Sequence, residues 1–168
     1  MKYFCMVGSH DVGFPRLIKA LDEFAGKYPK HRFQMQIGST LYHPIHSSWY
    51  DFKPALDLDI EDADIIITHG SLCLFEALKA GKKLVVIPRQ AKYGEHINDH
   101  QVQFSKHIAK LYGFPVLMDV RDLERTLMDL EFSPSRDRMV FPETRLHLEL
   151  AKYLEKIAGQ AGSNHAPA

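Results

Sequence analysis

Two short runs, I-I-I-T at residues 65–68 and L-V-V-I at residues 84–87, are apolar at almost every position rather than at every second one. A strand built this way is buried on both of its faces, which belongs to a parallel sheet covered by helices on either side. Between the runs, residues 71–80 carry helical spacing, with Ser71 as the expected N-cap and Gly81 as the stop. A strand, a helix and a second buried strand in that order constrain the chain to an α/β architecture.

The same alternation extends in both directions. Residues 2–7 form a short apolar run that opens into Gly8-Ser9. From Phe14 to Phe24 the apolar positions Leu17, Ile18, Leu21 and Phe24 recur at helical spacing before Gly26. Phe33, Met35 and Ile37 alternate with Gln34 and Gln36, a strand pattern ending at Gly38. Residues 39–53 are rich in aromatic side chains, His and Pro, and no period assigns them. Helices are predicted at 97–111, 123–130 and 141–157, and a strand at 116–118. The fold class expected is a doubly wound parallel sheet, Rossmann-like. Residues 1–158 read as a single domain and residues 159–168, small and polar, as a disordered tail.

Charge and cysteine content narrow the function. Lys plus Arg number 21 and Asp plus Glu also 21, so no net field argues for nucleic acid or for direct contact with anionic lipid. Cys5 and Cys73 sit in apolar surroundings and read as reduced core residues. Residues 2–7 are too short for the apolar region of a signal peptide, and no stretch approaches the roughly 20 apolar residues of a membrane span. A cytoplasmic protein is expected.

In doubly wound folds ligands bind beyond the carboxyl ends of the strands. Three loops point there: Gly8-Ser9, His69-Gly70-Ser71, and Arg89 to Gln101, the last crowded with Gly94, Glu95, His96, Asn98 and Asp99. Backbone N–H groups in a small-residue turn before a helix suit a diphosphate, although such turns are common in any α/β protein. Arg89 or Lys92 offers a cation, unless either is simply a surface residue. Glu76 reads either as a solvated surface glutamate or, if it faces the ligand, as a carboxylate for both ribose hydroxyls; composition alone favours the first.

Longer stretches carry a resemblance. The block ADIIITHGSLCLFEALKAGKKLVVIPRQAKYGEHINDHQVQFSKHI resembles the nucleotide-sugar signature in the C-terminal, donor-binding domain of the family 28 glycosyltransferases. It is more similar still to the small single-domain members of two-part enzymes, those adding the second N-acetylglucosamine of dolichol-linked oligosaccharides and those of bacterial exopolysaccharide synthesis. MVGSHDVGFPRLIKALDEF resembles their opening and FQMQIGST their second strand. The likeness covers roughly residues 1–130, and residues 63–101 are its specific part.

The resemblance implies a GT-B type donor half. It implies that Gly8, Ser9, His69, Gly70 and Ser71 surround a diphosphate, that Glu76 holds the ribose, and that residues 94–101, with Gly94, Glu95, His96, Asp99 and Gln101, face the donor sugar. The reaction implied is inverting sugar transfer from a UDP-sugar to a lipid-linked acceptor, with no cofactor and no essential metal. His10 lies near the right loop for a general base. A membrane-anchored partner subunit would supply the acceptor site and the membrane attachment, with the apolar stripe Leu146, Leu150, Leu154 and Ile157 helping to dock it. A non-catalytic nucleotide-sugar-binding or scaffold subunit is the alternative. Leu72 and Cys73 depart from the family's small-residue turn, and His10-Asp11-Val12-Gly13 from its hydroxyl-rich opening loop.

Two other constellations read as ordinary surface. His96 and His100 are four apart, but the order lacks the zincin His-Glu-x-x-His and no third ligand follows, so no metal is expected. Asp57-Leu58-Asp59 has the form of a manganese-binding Asp-x-Asp, yet it belongs to an acidic run expected to be a solvated turn and helix.

Overall fold

The computed structural model describes residues 1–139 of the chain. Strands β1 (Lys2–Met6), β2 (Arg32–Gln36), β3 (Ser48–Tyr50), β4 (Ile65–Thr68) and β5 (Lys83–Val86) are all parallel and lie in the order β3-β2-β1-β4-β5. The helices are α1 (Pro15–Lys27), α2 (Asp57–Asp62), α3 (Cys73–Lys79), α4 (His100–Tyr112) and α5 (Leu123–Phe132). This is the doubly wound α/β class that the apolar runs demand.

Alternation along β1 sorts its side chains between two layers. Tyr3, Cys5 and Val7 join Leu17, Ile18, Leu21 and Phe24 of α1 and Leu123 and Leu127 of α5 in one buried cluster. Pro15 at the first position pre-sets the backbone of α1, and its buried stripe makes the helix stable only against the sheet. Each buried leucine contributes about 2 kcal/mol. On the opposite face Phe4, Met6, Ile66 and Leu84 are buried, with α3 packed on β4 and β5 and α2 on β1; the Phe75 ring of α3 meets Phe104 of α4 edge to face at 6.1 Å. Cys5 is a buried free thiol pushed well above its ordinary pKa by burial, and Cys73 is a half-buried free thiol.

Several predicted boundaries move, each for a local reason. Residues 39–53 contain the edge strand β3, and the loop before it is folded around Asp22, which accepts from Tyr42 Oη (2.7 Å), Ile45 N (2.9 Å) and His46 N (2.8 Å). The predicted strand at 116–118 is a single parallel bridge, Val86 to Val116, because Pro115 has no N–H to extend the ladder. Ser71 does not cap α3: its hydroxyl donates to Cys73 Sγ at 3.6 Å and the helix begins two residues later. Helix α4 begins at His100 rather than 97, since Gly94 turns the chain with φ 67° and Asn98 Oδ1 takes the His100 N–H at 3.2 Å. Residues 57–62 form the acidic helix expected of them, with Asp59 bonded to Tyr50 Oη and Lys53. The predicted helix at 141–157, with its apolar stripe, and the tail at 159–168 lie outside the described residues.

Candidate functional site

Strand register builds the site. Met6 of β1 is level with Gln36 of β2 and Thr68 of β4, and Thr68 is level with Val86 of β5. The next residues of each chain, Gly8, His69-Gly70 and Arg89, therefore leave the sheet along one carboxyl edge.

The first turn is clamped by a side chain that sequence alone does not single out. Gln36, buried, accepts at Oε1 from Val7 N and Gly8 N, both at 3.0 Å, and donates from Nε2 to Gly8 O (3.0 Å) and Asp51 O (2.9 Å). The Gly8 N–H is thus engaged within the protein. Gly8 serves by having no side chain: its φ is 73°, and a Cβ there would stand 2.8 Å from Cε1 of His69. Ser9, beyond the clamp, is exposed.

His69 is buried and donates its Nδ1–H to Met6 O at 3.3 Å, with Thr68 Oγ1 at 3.4 Å. That tautomer leaves Nε2 as the acceptor beside Gly8. Burial, then the nearby Arg89 charge, bring its pKa down to about 4, so the ring is neutral at pH 7. Gly70 follows with φ 79°, packed so closely on Ser105 Oγ of α4 that a Cβ would clash.

Arg89 ties the first and last loops together. It is 1% exposed; Nη1 donates to Val12 O (2.8 Å) and Gly13 O (3.0 Å), Nη2 donates to Val7 O (3.3 Å), and the guanidinium lies 4.7 Å over the Phe14 ring. Its pKa is lowered to about 10 by burial, which leaves it charged. Its Nη groups face protein carbonyls and its buried Nε has no partner among the described residues, so its charge reaches a ligand as a field. Lys92, the other expected cation, is exposed with its ammonium 4.7 Å over the Tyr93 ring.

The polar loop after β5 is also more occupied by the fold than its composition suggests. Glu95, buried, accepts Arg16 Nε (2.7 Å) and Nη2 (2.8 Å) and the Gln90 N–H (3.0 Å). Gln101, also buried, accepts the Arg89 N–H at 3.1 Å, and Asp99 Oδ1 accepts the Ala91 N–H at 2.8 Å. Three of the expected sugar-facing side chains thus brace the loop. His96 has another setting: its ring lies 4.8 Å from that of His10 and 4.4 Å from that of His100. Spacing within the loop suggests only the His96–His100 pair; the approach of His10 comes from the tertiary fold.

Glu76 stands apart from this group. It is half-exposed on α3, paired with Lys79 Nζ at 3.0 Å, and lines a cleft of about 210 Å³ with Asp57, Ile60, Glu61, Lys79 and Arg138. A cleft of about 310 Å³ opens at the opposite, amino edge of the sheet, among Lys2, His31, Arg32, Asp59 and Asp62. Its walls are strand starts, so it lies far from the converging loops. Among the described residues no three His, Cys, Asp or Glu side chains are placed to hold a metal ion. No helix among them is long and apolar enough to cross a membrane.

Residues 4–156 match the glycosyltransferase family 28 C-terminal domain. No curated protein matches the chain. Solved structures share its fold. The glycotransferase of kitacinnamycin superposes with a TM-score of 0.60 at 19% identity, over 79% of this chain and 35% of that one. MurG of Acinetobacter baumannii does so with 0.54 at 19%, over 76% and 40%. The spinosyn rhamnosyltransferase SpnG, complexed with thymidine diphosphate, does so with 0.55 at 11%, over 79% and 38%. The chain thus spans well under half the length of these structures.

Proposed function

The chain belongs to the glycosyltransferase family 28 C-terminal domain family, and from that premise we propose that it binds a UDP-sugar and is the donor-binding, catalytic subunit of an inverting transferase. Its fold corresponds to the C-terminal half of a GT-B glycosyltransferase. The observation that carries this function is the meeting of the Gly8, His69-Gly70 and Arg89 loops at one carboxyl edge, where imidazoles and a guanidinium gather. A pyrimidine nucleoside diphosphate is the ligand named with one solved structure of this fold.

In the reaction an acceptor hydroxyl oxygen attacks the anomeric carbon while the bond from that carbon to the diphosphate oxygen breaks. The leaving diphosphate gains charge, and stabilising that charge is the largest contribution such a site makes. The exposed Ser9 and the Gly70-Ser71 turn offer backbone N–H groups, and Arg89 adds a positive field. The proton of the attacking hydroxyl passes to a general base on the acceptor side. Glu76 holds the ribose hydroxyls. His96, beside His10 and His100, lies where the donor's sugar meets its diphosphate, while Glu95, Asp99 and Gln101 hold the loop in shape.

The acceptor is lipid-linked and bound by a membrane-anchored partner subunit, which also places this chain at the membrane periphery. What supports the two-part reading is the resemblance of residues 63–101 to the small single-domain members of two-part transferases. Calorimetry of the purified chain with UDP, GDP and a panel of UDP-sugars tests the donor claim; no binding to any of them sinks it. Sugar transfer by this chain with membranes lacking the partner, equal to that after the partner is added, removes the two-part claim alone.

A further inference from the structure

Around His100 the fold collects positive and ionisable groups, of which Arg89 is partly offset by the Glu95 carboxylate. His10 comes from the loop after β1, His69 from the end of β4, Arg89 from the end of β5, and His96 and His100 from the loop and first turn at α4. Among the described residues, His100, His10 and Arg89 bear on His96 electrostatically, and His10 bears on His100. Of the acids of the same loop, Glu95 is bonded to Arg16 and the Gln90 N–H, with its charge felt by Arg89, and Asp99 accepts the Ala91 N–H. Asp11, next to His10 in the first loop, is exposed. The position of His100 at the first turn of α4 adds the positive end of a helix dipole.

Hydrogen bonds fix where protons sit in this cluster. The Val12 N–H donates to His10 Nδ1 at 3.0 Å, so the ring proton of His10 is on Nε2. Asn98 Oδ1 accepts from both the backbone N–H and the Nδ1–H of His100, so the lone pair of His100 is on Nε2. His96 Nδ1 is buried with no partner among the described residues. His100 can gain a second proton at Nε2 and keep both bonds to Asn98. Without an anion, burial and the neighbouring rings keep His96 and His100 below the usual imidazole range.

We propose that the His10–His96–His100 cluster binds the phosphate oxyanions of the ligand and takes up one proton from solvent, on His100 Nε2, as they arrive. The identity of the ligand as a nucleoside diphosphate rests on the function proposed above; the anion chemistry of the cluster does not. The proton on His100 meets the charge that develops on a leaving diphosphate, so the cluster acts on the diphosphate side of the reaction, distinct from a base acting on the acceptor.

The test is calorimetry of UDP and of inorganic pyrophosphate with the chain and with His100→Gln, in pairs of buffers of unlike ionisation heat. Comparison with the variant subtracts the ligands' own protonation. For the unmodified chain, UDP affinity should rise by up to about tenfold per unit as pH falls from about 7.5 to 6, with more protons taken up than by His100→Gln. Equal proton counts and equal pH slopes in the two proteins overturn the coupling. Pyrophosphate binding with the extra proton, but no UDP binding, keeps the cluster's role and removes the nucleotide. Neither ligand binding removes both.

Discussion

The Glu95 carboxylate grips Arg16 through Nε at 2.7 Å and Nη2 at 2.8 Å, and so pins the loop after β5 to the first helix. The pair is largely buried, with 16% and 5% of the two side chains exposed. Breaking it strands a charge that has little water to turn to. Glu95→Ala should lower stability by about 3 kcal/mol, read from urea denaturation. Unchanged stability with altered sugar preference would instead make Glu95 a direct sugar ligand.

Gln101 accepts the Arg89 N–H from inside the protein. Gln101→Ala leaves that donor unpaired, at a cost of about 1–2 kcal/mol. Affinities for UDP and for a UDP-sugar should therefore fall together. A loss confined to the UDP-sugar would show that the amide reaches the sugar.

Gly70 combines a left-handed backbone with close packing on Ser105 Oγ. Gly70→Ala should cost about 3 kcal/mol, from backbone strain together with overpacking. Adding Ser105→Gly should return the packing share and leave the strain. If the double variant is no more stable than the single one, the contact with α4 is not what Gly70 protects.

Acid should destabilise the protein through His69. Its folded pKa of about 4 lies below the unfolded 6.5, so the unfolded chain binds more protons between those values and stability falls as pH drops through that window. The full effect is about 3 kcal/mol. His69→Gln keeps a donor for Met6 O and should flatten the dependence between about pH 6.5 and 4, followed by urea titration at each pH. An identical slope in the variant assigns the acid sensitivity elsewhere.

Glu76 carries a ligand prediction rather than a stability one. Its ion pair with Lys79 is half-exposed, so Glu76→Ala should change stability by less than about 1 kcal/mol. UDP affinity should drop roughly ten- to a hundredfold, the loss of a charged hydrogen bond to ribose. Unchanged affinity returns Glu76 to a role at the α2–α3 surface.

The sheet was legible because Ile65, Ile66, Ile67 and Leu84, Val85, Val86 are buried on both faces, and only a central parallel strand asks for that. The turns at Gly8 and Gly70 followed from where those runs stop. The short edge strand β3 did not show, since Trp49 and Tyr50 sit among His and Pro and its three residues are too few for a period. Gln36 read as the polar half of an alternating strand; its clamp on Gly8 depends on β1 lying alongside, which no local pattern encodes. The same holds for the polar loop. Composition marks Glu95, Gln101 and Asp99 as hydrogen-bonding residues, but whether they face a ligand or the fold is decided by Arg16, Arg89 and Ala91 across the turn. His100, weighed from spacing only as a metal ligand, gains its place from the approach of His10.

Arg89 reaches back 82 positions to the carbonyl of Val7, 77 to Val12 and 76 to Gly13. On a growing or refolding chain the first loop has its carbonyl groups facing water until β5 is in place, however early β1 pairs with β2. Closing so long a span is slow compared with pairing neighbouring strands. The ligand edge is therefore a late product of folding, and a bound ligand holds the finished state without helping its first steps. Its kinetic signature is slower unfolding at an unchanged rate of initial collapse.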